Sequence, residues 1–276
     1  MNRDVHRPAV ADDPIRFATF LAPNMLGVYR FVVEYVGQKV GVRTELTLGS
    51  SFDQFAAGEA DVGFICGLPY VHLAREPRPP VQLLAAPLLQ GKRYEGRPIY
   101  FSDVIVHVDS PYRSFSDLRD HSWAFNDPDS HSGYNVTRHH LVSMGETRGF
   151  FGQVVEAGSH QRSIRMVCSG EVDAAAIDSQ VLAVELRDHP ELGTQLRVID
   201  TLGPAGIQPV VAASSLSNEL KAAITAALLA MGDDPEARAR LAHGFIERFV
   251  PVTDENYDDV RAMLVAAEDA HFMTLK

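Results

Sequence analysis

Asn126-Asp127-Pro128-Asp129-Ser130-His131-Ser132-Gly133-Tyr134 follows an apolar run, Trp123-Ala124-Phe125, that reads as a strand. It precedes residues 135–144, whose apolar members Val136, Leu141 and Met144 share one helical face. Pro128 keeps Asp127 out of the helical region, so the chain turns before any helix begins. Ser130 and Ser132 then stand as N-cap candidates beside the unpaired N–H groups of the first turn. Gly133 leaves the backbone there uncrowded, open to close approach by a ligand. Strand, hydroxyl-rich turn and helix start together form a site for a phosphate-like anion. An ordinary capped βα loop is built from the same residue types.

Working outward, strands and helices alternate. Residues 15–21 read as a first strand, ended by Ala22-Pro23-Asn24, with Asn24 capping a helix through Met25, Val28, Phe31, Val32 and Tyr35. Residues 42–48 alternate as a second strand, and Gly49-Ser50-Ser51 opens a short helix closed by Gly58. Residues 61–66 give a buried third strand, and Gly67-Leu68-Pro69-Tyr70 starts the next helix. Strands at 82–88 and 99–108 follow, the latter long enough to pass between two lobes. A new series runs through 122–126, the serine-rich turn, 154–157, a helix from about His160, and 174–178. Residues 210–213 are the expected return strand. The remainder reads as helical, with starts at Ser217, Asp233-Asp234-Pro235 and Thr253 or Asp254.

This order predicts an α/β chain of two lobes, each a mixed, mainly parallel sheet flanked by helices. Residues 15–103 and 208–276 are assigned to lobe 1, 104–207 to lobe 2, and 1–14 to a polar leader. Ligands of open α/β sheets sit at the carboxyl ends of the strands, here facing an interlobe cleft.

At 276 residues the chain can bury a sizeable core in one or two domains. A hydrophobic fraction of 46% with 22% charged residues is that of a soluble globular protein. The net charge of −11 argues against nucleic acid or an anionic membrane surface as partner. A small anion remains compatible, because a helix-terminus site acts locally and salt screens distant charges. No apolar run reaches the length of a membrane span. Residues 1–14 lack the apolar stretch of a secretory signal, which leaves a cytosolic chain or one whose export signal has been removed. Cys66 and Cys168, far apart in sequence, read as two reduced thiols.

Four stretches then stand out together. They are Gly58-Glu59-Ala60-Asp61-Val62-Gly63; Tyr100-Phe101-Ser102 with Val104-Ile105-Val106 and Asp109-Ser110-Pro111; Asp127 to Tyr134; and Ala157-Gly158-Ser159-His160 followed by Gly170-Glu171-Val172-Asp173-Ala174. In order and spacing they resemble the solute-binding proteins of phosphonate, phosphite and phosphate ABC transporters. The Asp-Pro-Asp-Ser-x-Ser-Gly segment is the specific one. The resemblance implies a periplasmic-binding-protein-like clamshell that is not an enzyme and holds neither cofactor nor metal. It implies a small anionic ligand, with a transporter permease or a signalling partner, and a periplasmic location that the missing signal does not support. It also implies that Ser130, His131 and Ser132 cradle the anion, with His160 and Tyr100 at the ligand. Asp178 stands at about the place where amine-bearing phosphonate binders carry an acidic residue. Two departures are notable. His131 replaces the usual Thr or Ser and adds a donor able to carry charge near neutral pH. Phe64 to Tyr70 replaces a segment that in transport members often carries Trp or Tyr before Gly-Asn.

The chemistry expected is convergence of donors on a tetrahedral oxyanion. Hydroxyls of Ser130 and Ser132, the amides around Gly133 and the His160 ring supply them, each charge-assisted bond contributing about 1.5–3 kcal/mol. Helix starts at Asn24, Ser50 or Ser51, and Gly67 are expected to point into the same cleft, and Tyr70 and Tyr100 to close over an organic substituent. Plainer roles compete: His160 or Asp178 as helix caps, Tyr70 as a core aromatic, Cys66 as a small buried hydrophobe. His139-His140, with His121 and His131, reads as a solvated face, because adjacent helical histidines diverge. The alternatives are a cytosolic ligand sensor, or an enzyme of small-heterocycle chemistry using Cys66 or His160.

Overall fold

The computed structural model describes residues 13–275, so nearly all of the expected leader lies outside the described residues. The chain runs through β1 (Ile15–Thr19), α1 (Leu26–Val40), β2 (Thr44–Leu48), α2 (Asp53–Ala56), β3 (Val62–Phe64), α3 (Gly67–Ala74) and β4 (Val81–Leu89). It continues with β5 (Ile99–His107), β6 (Ser122–Phe125), α4 (Val136–Ser143), β7 (Gln153–Glu156), α5 (His160–Ser169), β8 (Ala174–Asp178), α6 (Ser179–Asp188) and β9 (Leu196–Gly206). The last part holds β10 (Val210–Ala213), α7 (Asn218–Ala230), α8 (Pro235–Leu241), β11 (Ile246–Val250) and α9 (Asp258–Asp269).

Local chemistry sets the limits of these elements. Gly41 at φ 76° ends α1, a left-handed position that costs a glycine nothing sterically. Ser159, Ser217 and Asp234 cap α5, α7 and α8 by accepting backbone N–H groups of the first turn. Ser130 caps a single π-type turn at His131–Asn135 that leads into α4, its Oγ accepting from Gly133 N at 3.1 Å. Ser132 lies inside that turn and is not its cap.

Two sheets result, ordered β11-β4-β10-β3-β1-β2 and β7-β6-β8-β5-β9. Each is mixed, as expected, but parallel pairing does not predominate. It is confined to β1 with β2 and β3, and β6 with β7 and β8. The crossing strand β5 pairs antiparallel with both β8 and β9, and β10 antiparallel with both β3 and β4, because these strands enter from the opposite side. Two other expectations change. The long strand β9 lies in a stretch with no assigned element, and β11 lies where only helix was expected. Phe249 of β11 is buried against the first sheet, while β9 is an edge strand with much of its length exposed, which mutes its alternation.

The core follows the two sheets. Phe17, Val32, Phe64, Ile224 and Leu228 are buried around the first. Trp123, Phe115 and Phe151 pack one face of the second sheet, and Ile105, Ile164, Val167 and Ile177 the other, each fully buried aliphatic contributing about 1.5–3 kcal/mol. Phe272 and Leu275, assigned by sequence to lobe 1, are buried among Phe125, Tyr134 and Val136 of the second sheet. Among the described residues, no helix is long and apolar enough to cross a membrane.

Candidate functional site

A cavity of about 460 Å³ opens between the sheets. Apart from Gln208, its lining comes from the segments after β1, β2, β3, β6, β7 and β8, which are the members of the parallel pairings. Parallel strands share a direction, so their carboxyl ends, and the helix starts that follow, meet at one place. Ser50 and Ser51 before α2, Cys66 and Pro69 at α3, and Ser159 and His160 at α5 all reach it.

One end of the cavity is built from the serine turn. Ser132 Oγ lies 2.9 Å from His160 Nε2 and 3.3 Å from Ser130 Oγ. Gly133 is required here, because a Cβ at this position would collide with the side-chain oxygen of Asn126. Asn126 Oδ1, His160 Nδ1 and both amide atoms of Gln161 are buried with no partner within the protein. Buried polar atoms are normally paired, so this cluster of orphans is suited to a polar guest. Burial lowers the His160 pKa to about 4, so the ring is neutral at physiological pH and one of its nitrogens donates. Ser132 and His160 thus form a nucleophile–base contact that sequence reading did not foresee. The base is weak, however, and its Nδ1 has no orienting group. The Cys66 thiol is pushed up by burial, which also argues against a reactive nucleophile.

The other polar feature is Asp178. It ends β8, caps α6 by accepting from Gln180 N at 2.8 Å and Val181 N at 3.2 Å, and accepts from Gln208 Nε2. Burial raises its pKa to about 6 despite these bonds. The cavity is lined by Asp127, Asp129 and Asp178, with no Lys or Arg among the described lining residues. Any anion held here is therefore met by neutral donors and helix starts. Among the described residues, no group of His, Cys, Asp and Glu is arranged to hold a metal ion.

The family "ABC transporter, phosphonate, periplasmic substrate-binding protein" matches residues 18–257 of the chain. The chain belongs to this family. A phosphonates-binding periplasmic protein of Escherichia coli (strain K12) is 29% identical over 152 residues, covering 53% of this chain. The match spans 45% of that protein, so the chain covers less than half of its length. A binding protein component of an ABC phosphonate transporter from Pseudomonas aeruginosa superposes with a TM-score of 0.82 at 18% identity, covering 94% of this chain and 88% of that one. A Prochlorococcus marinus (MIT 9301) protein solved with methylphosphonate gives a TM-score of 0.78 at 17% identity, covering 93% and 98%. These likenesses establish the two-lobed periplasmic-binding-protein fold.

Within this phosphonate-family fold, Ser130, Ser132, His160 and Asp178 line the cavity, and four other residues expected at the ligand do not. His131 alternates away from its two serine neighbours. Its ring is fully buried and its Nδ1 lies 3.2 Å from Asn135 Nδ2, while burial lowers its pKa to about 3. It therefore carries no charge near neutral pH and lies off the cavity lining. Tyr100 is buried on the crossing strand with its ring centre 6.3 Å from that of His131. Tyr70 faces the 3-10 turn Asp254–Tyr257 that precedes α9 and donates to Asp254 Oδ1 at 2.7 Å. Asn24 is no helix cap: it sits in a 3-10 turn, Pro23–Met25, and its Nδ2 donates to Val181 O at 3.2 Å.

Residues missed by sequence reading are Phe20, Tyr29, Phe52, Asn126, Gln161 and Gln208, all at the cavity. Phe20 lies near the end of the expected first strand, Phe52 directly follows the Gly49-Ser50-Ser51 turn, Asn126 opens the quoted stretch and Gln161 adjoins His160, so position at a strand end or helix start was the usable signal. Gln208 had none.

Proposed function

We propose that this chain is the substrate-binding component of an ABC transporter and that its cavity captures a small phosphorus oxyanion, an organophosphonate in particular. Ser132 placed between Ser130 and His160, at the foot of a helix, carries this reading. Ser130 and Ser132 hydroxyls, the first amides of the turn into α4 and the His160 ring donate to the oxyanion. Asp178, with no cationic side chain among its hydrogen-bond partners, accepts from a donor on the ligand's carbon arm, an ammonium being the strongest candidate. The protein acts by binding and release rather than by turnover, with a membrane permease as its partner. Residues 15–103 with most of 208–276 form one lobe and 104–207 the other, and ligand draws the two together.

Isothermal titration with phosphite, methylphosphonate, aminoethylphosphonate and phosphate tests the reading. The expected result is saturable binding of phosphonates, weakened about 10-fold or more in Ser132→Ala, as loss of one charge-assisted bond requires. Binding of uncharged ligands alone would sink it.

A further inference from the structure

The cavity has two chemically different walls. On the side of the second sheet it is polar, through Asn126, Ser130, Ser132, His160 and Gln161. On the side of the first sheet Ser50, Ser51 and Cys66 also line it, but the large side chains there are Phe20, Leu21, Met25, Tyr29 and Phe52, a mainly carbon surface. The carbon wall is a constructed surface. The rings of Phe20 and Phe52 stack with centres 4.6 Å apart. Phe20 rests so closely on Gly49 that any Cβ there would collide with its ring. Tyr29 is held from behind by Phe64, ring centres 4.4 Å apart. Nearby Phe17, Phe55 and Phe64 are sealed in the core, whereas Phe20 and Phe52 remain partly exposed towards the cavity. Two stacked aromatic rings left open to water are unfavourable unless something apolar covers them.

Size points the same way. A tetrahedral phosphorus head occupies on the order of 100 Å³, at about 30 Å³ for each water-sized group. Most of the 460 Å³ cavity is then left over for the remainder of a ligand. Inorganic phosphate, phosphite or methylphosphonate would leave the Phe20–Phe52 wall bare. Asp178 also lines the cavity, near enough to Tyr29 for its charge to act on that phenol.

We propose that the site is built for organophosphonates with a sizeable apolar arm, a longer alkyl or an aryl group, whose carbon packs on Phe20 and Phe52 while the oxyanion sits at Ser130 and Ser132. This rests on the phosphonate reading of the polar wall and adds the class of substituent. The test is isothermal titration of the whole chain with phosphate, methylphosphonate, propylphosphonate and phenylphosphonate at one pH and salt concentration. Affinity is expected to rise about fourfold for each methylene covered, with phenylphosphonate more than about tenfold tighter than methylphosphonate. The phenyl-to-methyl ratio is expected to shrink in Phe52→Ala, and also in Phe52→Ser should the first variant fold poorly. Affinity that is flat or falls along the wild-type series overturns the carbon-arm proposal and leaves phosphonate binding intact. Absence of binding by every phosphonate removes the reading beneath it.

Discussion

Arg138 Nη1 donates to the carbonyl oxygen of Met273 at 3.0 Å, so a buried guanidinium on α4 ties down the C-terminal tail. Its Nη2 donates to Asn135 Oδ1 at 2.7 Å, which fixes the Asn135 amide so that Nδ2 faces His131 Nδ1. His131 Nδ1 must then accept, placing the ring proton on Nε2. Leu275 N donates to Tyr134 OH at 3.2 Å from the same tail. His131, between Ser130 and Ser132, is therefore a link in a brace running from the tail to the serine turn. Arg138→Met is expected to lower unfolding free energy by about 2–4 kcal/mol, since charged hydrogen bonds are lost and carbonyls are left unpaired in a buried place. Urea melts would read this, and titration with methylphosphonate should show weaker binding from the loosened turn. An unchanged melt would mean the tail is not held by this side chain.

Gly133 carries a second test. Its backbone conformation is available to any residue, so the requirement is one of space alone, imposed by Asn126 Oδ1. Gly133→Ala must displace either Asn126 or the turn, and both line the proposed oxyanion end. The expected outcome is a stability loss of about 1–3 kcal/mol, typical of overpacking, with phosphonate affinity reduced by more than about tenfold. Gly133→Ala with Asn126→Ala should regain stability, because the colliding oxygen has gone. If the double variant is no more stable than the single one, the collision is not the cause.

The parts of this fold that were legible in sequence are those where chemistry is local. Pro128, Ser130 and Gly133 announce a turn and a helix start through backbone rules that operate within a few residues, and β8 and β10 fall at their expected bounds. Ser132 and His160 are separated by 28 residues, yet each sits at a strand-to-helix junction, so parallel pairing alone brings them together. The failures are non-local. Tyr70 and Asn24 found partners 184 and 157 residues away, which no spacing rule anticipates. His131 looked like a ligand donor because it lies between two such donors, but neighbouring residues on a turn point in different directions. Edge strand β9 lacks the burial that makes a period visible.

Asp178 and His160 act on stability in opposite directions. The folded chain binds the Asp178 proton more tightly than the unfolded one, with a pKa of about 6 against 3.8, so ionisation weakens the fold as pH rises from about 4 to about 6. Above that window the full cost, about 3 kcal/mol, is present. For His160 the pKa falls from 6.5 to about 4, so the unfolded chain takes up the proton first and stability is lost as pH drops through this range. Asparagine is also a good helix cap. Asp178→Asn is therefore expected to be at least as stable as the parent at about pH 7.5, yet to bind aminoethylphosphonate about tenfold or more weakly, with a smaller change for methylphosphonate. Denaturation across pH and paired titrations would read both. A destabilised variant, or equal losses for the two ligands, would remove Asp178 from the proposed role.

Asn24, which lies off the cavity lining, is expected to govern how long a ligand stays. Its amide reaches Val181 O on α6, and Gln180 Nε2 reaches Gly244 O at 2.7 Å from the same helix. Both bonds join an element of the second sheet to loops packed on the first, and Val184 of α6 is buried in the first sheet's core. Gln180 also lines the cavity, so its removal mixes two effects, whereas Asn24 does not touch it. Asn24→Ala removes one bridging hydrogen bond, a loss of about 0.5–1.5 kcal/mol in the closed arrangement. Because encounter precedes closure, that loss should appear in dissociation: koff rising about 2–10-fold while kon changes little. Stopped-flow displacement of a bound phosphonate measures the two rates separately. If kon falls and koff stays fixed, Asn24 acts before the lobes meet, and the bridging role is wrong.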